Sequence, residues 1–532
     1  MAAPPDATGD EDKAVAPKDD NHFYLTGFKL FSVLAAVTLV CFLILLDMSI
    51  IVTALPKITD HFHSLEDLGW YGSAYQLASA SLQPLTGRIY HNFKSKWTFL
   101  AFFFVFELGS LLCAIATSSN MLIIARAVAG LGSSGLMNGS LTIITSSVPL
   151  QKSPIYVGIM MGCSQMGIVF GPLLGGAFTE YVSWRWCFYI NLPIGAVVAA
   201  IIIFTRIPDQ ADKPPPLSVV RVLHKKLDLL GFALFAPAAI QLLLALQYGG
   251  NQYAWNSSTV IGLFCGAGAT FILFCVWEYR QGDMAMIPFS MLRKRPVWSS
   301  CLTMFCIFAM VLCAAYYVPV YFQAIKNTSP MMSGVYMLPS ILAQMLFAVM
   351  SGVLTGKLGY YLPWTLFCGV ASSIGNGLVS TWSPHTSTAR WVGYQILLGA
   401  GRGAGMQTPF IAVQNTLPRE QISIAMAILM FTQTFSGAIF LTFADVIFDN
   451  SLKTLIPQYA PSANSEAIIA AGATAFREVV SEDALEGVLV AYAKSIDRVF
   501  YMAAAVGAAS FFTAWGMGWK DIRKKKPSPE KV

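Results

Sequence analysis

The chain has 532 residues, of which 55% are hydrophobic, 13% aromatic and only 12% charged, and its mean hydropathy is +0.59. Soluble globular proteins carry about 25% charged residues, and disordered or fibrous chains lack this aromatic content or show a strict period, so composition excludes these classes. The formal net charge of +6 comes largely from basic residues in short segments between apolar runs. Such residues set membrane topology, so we predict an all-α polytopic protein of the lipid bilayer with no nucleic-acid partner.

The first predicted element is a polar tail at 1–27, which is acidic and rich in Pro and Ala. We expect it to be disordered and uncleaved, because the apolar run that follows is too long for the core of a signal peptide. A helix needs roughly 20 apolar residues to cross a bilayer, and each run of about that length is interpreted as one span. The predicted spans are 28–52, 68–89, 97–116, 120–147, 155–178, 184–205, 229–248, 258–278, 297–323, 333–356, 362–382, 390–415, 423–447 and 498–519, fourteen crossings in all.

The distribution of Lys and Arg predicts the orientation. Most of the 34 basic residues fall in alternate loops and in the basic tail at 520–532, which places both termini in the cytoplasm. One long outside loop is predicted at 448–497. Its stretch 466–490 fits either an amphipathic helix over the outer mouth or a solvated loop.

An internal repeat gives the architecture. The sequence Leu-Thr-Gly-Arg at 85–88 recurs as Leu-Thr-Gly-Lys at 354–357, and the Gly-rich stretch at 130–135 recurs at 401–405, both at an offset of about 270. Spans 9 to 14 therefore repeat spans 1 to 6. We predict two six-helix bundles at 28–205 and 297–519, with a linker carrying two inserted spans at 206–296.

Several motifs carry a resemblance to a known family. They lie at 46–56 in the first span, 126–135 in the fourth, 167–176 in the fifth and 183–195 in the sixth. In these the chain resembles the major facilitator superfamily, and within it the fourteen-span drug:proton antiporters of the fungal branch that exports toxins and secondary metabolites.

The resemblance implies a major facilitator fold and a proton-coupled antiporter that exports a small amphipathic organic compound by alternating access. It also implies a cytoplasmic loop after span 2, here containing Gly87, Arg88, Lys94 and Lys96. The acidic residue and second glycine typical of that loop are replaced by His91 and Lys94. The charge contact that the loop makes in relatives is therefore in question here.

Placing an ionisable group inside a membrane span costs at least about 2.5–3.5 kcal/mol of free energy, so each such residue is a candidate for a functional role. A desolvated carboxyl group can bind and release a proton near neutral pH, which is the chemistry of a proton antiporter. We predict Asp47 as the main proton-binding group, with Arg126 biasing its protonation and Glu107 as second candidate. The alternatives are a hydrated structural role for Asp47 and a helix-packing hydrogen bond for Glu107.

The fifth span carries small residues and a proline, which suit close helix approach and a kink. The residues that the resemblance assigns to the antiporter motif are Gly167, Gly171, Pro172, Gly175 and Gly176. The functional interpretation is a bend that seals the bundle against proton leak, and the alternative is ordinary tight packing.

Polar side chains among apolar ones favour a large amphipathic ligand. The candidates for the substrate cavity are Asn138, Gln165, Tyr316, Gln344, Arg402, Gln407 and Gln414, and each is also compatible with packing alone. For Arg402 two interpretations stand, an anionic substrate or a structural ion pair with Asp445.

No enzyme, cofactor or metal site is predicted, since all six histidines fall in tails or loops and a phosphate-binding loop is missing. The weak metal motif at 60–63 fits a solvated turn better. Two other functions stay open, proton-coupled uptake, for example of iron chelates, and a nutrient sensor without net flux. We expect a monomer in the plasma membrane, with the vacuolar membrane as the alternative.

Overall fold

The computed structural model describes residues 24–62, 68–209, 213, 227–250, 253–465, 467–469, 476–477 and 479–523. Most of the predicted tail at 1–27, the end of the basic tail at 520–532, much of the linker between 206 and 228, and His63 of the weak metal motif lie outside the described residues. The predicted stretch 466–490 is described only in part.

The described helices are α1 (Gly27–Phe62), α2 (Leu68–Asn92), α3 (Ser95–Ala114), α4 (Ser119–Ser147), α5 (Ser153–Tyr181), α6 (Trp186–Tyr189), α7 (Asn191–Phe204), α8 (Leu229–Tyr248), α9 (Ser258–Gln281), α10 (Phe289–Leu292), α11 (Arg295–Val320), α12 (Pro330–Tyr336), α13 (Leu338–Leu358), α14 (Leu362–Val379), α15 (Thr388–Gly405), α16 (Thr408–Thr416), α17 (Ile422–Tyr459) and α18 (Glu482–Ala514). Short 3₁₀ turns follow at Gly282–Met284, Arg419–Gln421 and Trp515–Met517, and a π turn at Tyr321–Ile325.

Twelve helical segments among the described residues are long and apolar enough to cross a bilayer. They cover every predicted span except the second and the twelfth. Those two positions are helical, in α2 and in α15 with α16, but their Gly, Ser and Gln content makes them more polar. The all-α membrane class is confirmed, and the count of fourteen crossings stays a prediction.

Several helix ends differ from the predicted spans. α17 continues to Tyr459 and α18 begins at Glu482, so much of the predicted outside loop at 448–497 is helical. Hydropathy locates the hydrocarbon, whereas a helix can continue into water with polar residues. The twelfth span breaks between α15 and α16, where Pro409 stands in the first turn of α16 and cannot donate a backbone hydrogen bond.

The apolar cores show how the two halves meet. One core joins residues of α4 and α5, such as Ile144 and Met160, to Phe410 of α16 and Leu429 of α17. At the opposite end the halves have separate cores, one drawn from α1 to α7 and the other from α11 to α18. The described residues therefore share a continuous apolar core at one end only, which we call the closed end.

Glycines set the helix contacts at the closed end. A Cβ built on Gly158 of α5 would lie 2.6 Å from the carbonyl oxygen of Ala348 in α13, and one on Gly352 of α13 would lie 2.6 Å from that of Pro154. Gly87 of α2 leaves no room for a Cβ either, which would lie 2.8 Å from Cα of Ile424 in α17. These two helix pairs, α5 with α13 and α2 with α17, hold the halves together.

The inserted helices α8 and α9 pack on each other, and α8 also packs on α2. Their apolar cluster contains Phe235 and Phe274 together with Leu85 of α2, and Phe431 of α17 packs against it. The pair therefore touches both halves near the closed end.

Candidate proton-coupling and substrate site

Asp47 of α1 and Arg126 of α4 form a buried ion pair. The Arg126 Nη1 to Asp47 Oδ2 distance is 2.5 Å, and both side chains are at most 1% exposed. Arg126 Nε also donates to the backbone oxygen of Tyr71 at 2.9 Å, and its guanidinium lies 4.5 Å from the ring centre of Tyr75. A buried charge pair persists only when its remaining hydrogen-bonding groups are satisfied, and the α2 residues do this for the cation. The hydrated role considered for Asp47 is wrong in this conformation.

Asn191, to which the sequence assigned no role, completes the pair. Its Nδ2 donates to the second oxygen of Asp47 at 3.4 Å and to Ser110 Oγ of α3 at 3.2 Å. The break between α6 and α7 places Asn191 at the start of α7, two residues before Pro193, and the side chain is fully buried. Asn191 lies inside the sixth-span motif, which was the one sequence signal for it. Its amide is neutral, so the energetic cost of burying a charge, which pointed to Asp47 and Arg126, did not point to Asn191.

Glu107 lies beside this network. It stands one turn before Ser110 on α3, and a Cβ built on Gly195, one turn after Asn191 on α7, would overlap its carboxyl group. Both carboxyl oxygens are buried and have no hydrogen-bond partner within the described residues. The packing hydrogen bond considered for Glu107 is therefore not formed. A charged carboxylate without a donor is strongly disfavoured in such a site.

The glycines of the α5 motif bring α5 against α1 next to Asp47. Ser49 Oγ donates to the backbone oxygen of Gly167 at 2.9 Å. A Cβ on Gly171 would overlap Ser49 and lie 2.9 Å from the backbone nitrogen of Ile50, and one on Gly175 would lie 2.7 Å from the backbone oxygen of Ile50. These positions admit only glycine at this helix separation.

The other two motif residues differ from these three. Pro172 lies inside α5 and has no N–H for the helix ladder, as a kink requires. Gly176 faces open space, since a Cβ there would meet no atom within 4 Å. The motif therefore contains one glycine that helix contact does not explain.

The candidate cavity residues of α4 and α5 are buried. Asn138 donates to Thr86 Oγ1 at 3.1 Å, between α4 and α2. Gln165 on α5 is 8% exposed. Gln414 of α16 accepts a hydrogen bond from Ser153 Oγ at 3.0 Å, which joins the two halves at the closed end.

Two further candidates hold α13 to α15 and α16. Gln344 of α13 contacts the sulfur of Met406 at 3.6 Å. Gln407 donates to the backbone oxygen of Ala348 at 2.8 Å and to Ser351 Oγ at 2.6 Å. In this conformation both amides are engaged within one half.

Arg402 and Asp445 do not pair with each other in the described part of the chain. Arg402 donates to Ser340 Oγ of α13, and its buried Nε has no hydrogen-bond partner among the residues that the structure describes. Asp445 of α17 instead accepts a hydrogen bond from Tyr317 Oη at 2.7 Å. The ion-pair interpretation of Arg402 is therefore wrong. Tyr316, next to Tyr317 on α11, is 54% exposed.

The loop between α2 and α3 is held by backbone contacts. Arg88 donates to the carbonyl oxygens of Asp283, at 2.8 Å, and of Ala285, both after α9. Lys96 donates to the carbonyl oxygens of Ile203 and Thr205 at 2.6 and 2.9 Å, while Lys94 is exposed.

Lys213 of the linker also binds this loop. Its Nζ donates to the carbonyl oxygens of Tyr90 and Phe93 at 2.6 and 2.8 Å and to Ser95 Oγ at 3.0 Å, and lies 3.1 Å from Asp209. Burial lowers the pKa of this ammonium, and Asp209 opposes that effect. Sequence reasoning missed the residue because it lies outside the spans and the motifs.

Known proteins resemble this chain over most of its length. The model described as Major Facilitator Superfamily matches residues 37–441. The chain is 60% identical to the MFS-type transporter pigP of Monascus ruber, over 98% of this chain and 92% of that protein. It is 53% identical to the efflux pump mlcE of Penicillium citrinum, over 94% and 92%. Among solved structures, the proton:xylose symporter XylE matches with a TM-score of 0.58 at 14% identity, over 92% of this chain and 95% of that one.

Proposed function

Because the chain belongs to the major facilitator superfamily, we propose that it exports a small amphipathic organic compound, such as a secondary metabolite, in exchange for protons. Relatives named as efflux pumps support the direction of transport. The observation that carries the proposal is the buried Asp47–Arg126 pair with Glu107 beside it, since these groups can exchange a proton away from water.

In this proposal Asp47 is the coupling carboxyl group. While it is ionised, Arg126 and Asn191 hold it in the network. Protonation removes the charge that Arg126 neutralises, so the pair weakens and α1 is released from α4. Glu107, which has no donor of its own, holds a proton in the present conformation and serves as the second proton-binding group.

Alternating access is supported by the distribution of the cores. The two halves share a core only at the closed end, which carries Arg88, Lys94 and Lys96. Basic loops stay in the cytoplasm, so we assign the closed end to the cytoplasmic side. Beyond α13, α5 also packs on α12 of the other half, so the two halves stay in contact along this helix pair. Rocking about the separate outer cores would open the α5–α13 and α2–α17 contacts to the cytoplasm.

The ligand contacts in this proposal are Tyr316, which is exposed, and Arg402, whose Nε has no partner. The buried amides of Asn138, Gln165, Gln344, Gln407 and Gln414 become available only as the closed end opens. The protein works as a monomer in the plasma membrane with both termini in the cytoplasm, and protons are its second substrate.

The test is efflux of the amphipathic dye Nile red from a host strain without its own drug pumps. Wild-type protein is expected to lower dye retention, and a protonophore should abolish the effect. Asp47→Asn should remove the dependence on external pH, whereas Glu180→Gln, an exposed carboxyl on α5, should behave like wild type. Higher retention with the protein than without it indicates uptake. Dye efflux that survives dissipation of both pH gradient and voltage contradicts proton exchange.

A further inference from the structure

A polar cluster lies where the inserted helices meet α2. It is built around the segment 283–287, which follows α9 and offers carbonyl oxygens to one side and N–H groups to the other. Two of its carbonyl groups, those of Asp283 and Ala285, accept from Arg88. Its N–H groups at Met286 and Ile287 bind two buried carboxyl groups. The segment therefore connects α2 to the inserted pair.

The first carboxyl group belongs to Asp228, which caps α8. Its backbone φ is +49°, a left-handed conformation that Asp tolerates better than most residues. The side chain accepts from Gly231 N at 3.0 Å, Trp277 Nε1 at 2.7 Å and Met286 N at 2.9 Å. Asp228 is 4% exposed, and its carboxyl oxygens are satisfied by these three donors.

The second carboxyl group belongs to Glu278 of α9, which is 1% exposed. It accepts from Met286 N at 3.2 Å and from Ile287 N at 2.8 Å. Its Oε1 and the Oδ2 of Asp228 therefore accept from the same N–H group, that of Met286. Two buried carboxyl groups that meet at one donor favour a proton shared between them, because two carboxylates repel and neither has a hydrogen to donate.

The charges around the Asp228–Glu278 pair do not remove the need for a shared proton. The groups that act on it are Arg88 of α2, Asp283 of the connecting segment and Cys275 of α9. Arg88 is the single cation among them and is bound to carbonyl oxygens, while its buried Nε has no partner within the described residues. The Asp283 side chain is exposed to water, so of the buried carboxyl groups an ionised Asp228 alone balances Arg88. A second carboxylate would leave a net buried negative charge, which is disfavoured.

We infer that Asp228 and Glu278 form a proton-binding site in the inserted helix pair, and that a proton bound there stabilises the closed end. Arg88 is the neighbour of Gly87, which packs on Ile424 of α17. Opening the closed end separates α2 from α17, and therefore moves Arg88 relative to the carboxyl pair. Loss of the proton weakens the cluster that holds α2, so deprotonation favours opening.

This site is separate from the Asp47 network and does not depend on export or on proton exchange. It gives the inserted pair a role as a sensor of proton concentration at the closed end. Because the two carboxyl groups share a single proton, the site binds one proton at a time.

The test is hydrogen exchange by mass spectrometry on the purified full-length protein in detergent, from pH 6 to 9. Protection factors, corrected for the intrinsic pH dependence of exchange, are followed in peptides covering 85–92 and 283–287. Wild-type protection should fall by up to about tenfold per pH unit, because one proton controls the opening. Glu278→Gln, which keeps the shape and donates to Asp228 without a charge, should give a flat and high profile.

Glu180→Gln is the matched control and should follow wild type. A wild-type pH dependence that survives in Glu278→Gln overturns the inference. So does a wild-type profile that is flat in these two peptides. Because Gln imitates the protonated carboxyl group, a Glu278→Gln protein that fails to fold is also evidence against it. The readout uses no substrate or gradient, so its outcome is distinguishable from failure of the export proposal.

Discussion

Replacing Asp47 by Asn should destabilise the protein, and the structure gives the magnitude. Asn has nearly the shape of Asp, so packing is kept, but Arg126 stays buried without a counter-charge. Removing one partner of a buried ion pair costs about 3–5 kcal/mol. Arg126 retains its bond to the Tyr71 carbonyl and its contact with the Tyr75 ring, so we expect the lower end of that range, about 3 kcal/mol.

A double-mutant cycle separates this charge effect from general damage. The single variants Asp47→Asn and Arg126→Gln and the double variant are compared with wild type by denaturant unfolding in mixed micelles. Each single change leaves one buried charge unpaired, whereas the double change leaves none. The double variant should therefore regain most of the loss, with a coupling free energy of about 3 kcal/mol. Additive losses would refute the ion pair as the source of stability.

Three further predictions follow from contacts in the same half. Glu107→Gln should change the free energy of unfolding by less than about 1 kcal/mol, in contrast to Asp47→Asn, because Gln imitates the neutral carboxyl group that we propose for Glu107. A loss of stability as large as that of Asp47→Asn in the same denaturant titration would mean that Glu107 is charged. Gly171→Leu should reduce Nile red efflux per molecule of membrane protein while Gly176→Leu does not, since only the first position meets α1, and equal efflux from both would contradict this. Lys213→Met should increase hydrogen exchange at 90–95, because three polar contacts to this segment are lost, whereas exposed Lys94→Met should leave exchange unchanged; unaltered exchange in Lys213→Met would show that these contacts do not hold the loop.

The sequence predicted the helical class because hydropathy reports directly on burial in hydrocarbon. It predicted helix ends poorly where polar residues continue a helix beyond the apolar run, as in α17 and α18. It also missed the break at Met406 and Gln407, where Pro409 interrupts the backbone ladder. Mean hydropathy accounts neither for polar residues that extend a helix nor for a proline that interrupts one.

The sequence predicted the charged residues of the candidate site, because burying a charge in a membrane is energetically unfavourable. That cost marked Asp47, Arg126 and Glu107, which the structure brings to one place. It could not mark Asn191, whose role depends on an approach between residues far apart in the chain. Nor could it mark Asp228, because a carboxylate at a helix start has an ordinary explanation as a cap until Glu278 is found beside it.

The position of α5 explains how events at the closed end can reach the ion pair. Its first half presents Gly158 to α13 across the junction between the halves, and its second half presents Gly171 to α1, close to Asp47. The first contact is with the backbone oxygen of Ala348, and the second is with the Ser49 side chain and the backbone nitrogen of Ile50, so a change of side-chain rotamer can absorb little movement. A rotation of α5 that opens the α13 contact must therefore carry α1 with it or break the contact with Ser49. If α1 follows α5, Asp47 is displaced relative to Arg126 on α4, because α4 is held mainly by α2 and α3 rather than by α5. Pro172 lies between Gly171 and Gly175, which both contact α1, so it allows α5 to bend within this contact region. Under the proposed function, opening of the closed end and protonation of Asp47 are two consequences of one helix displacement, and the double-mutant cycle above tests the contact on which this coupling depends.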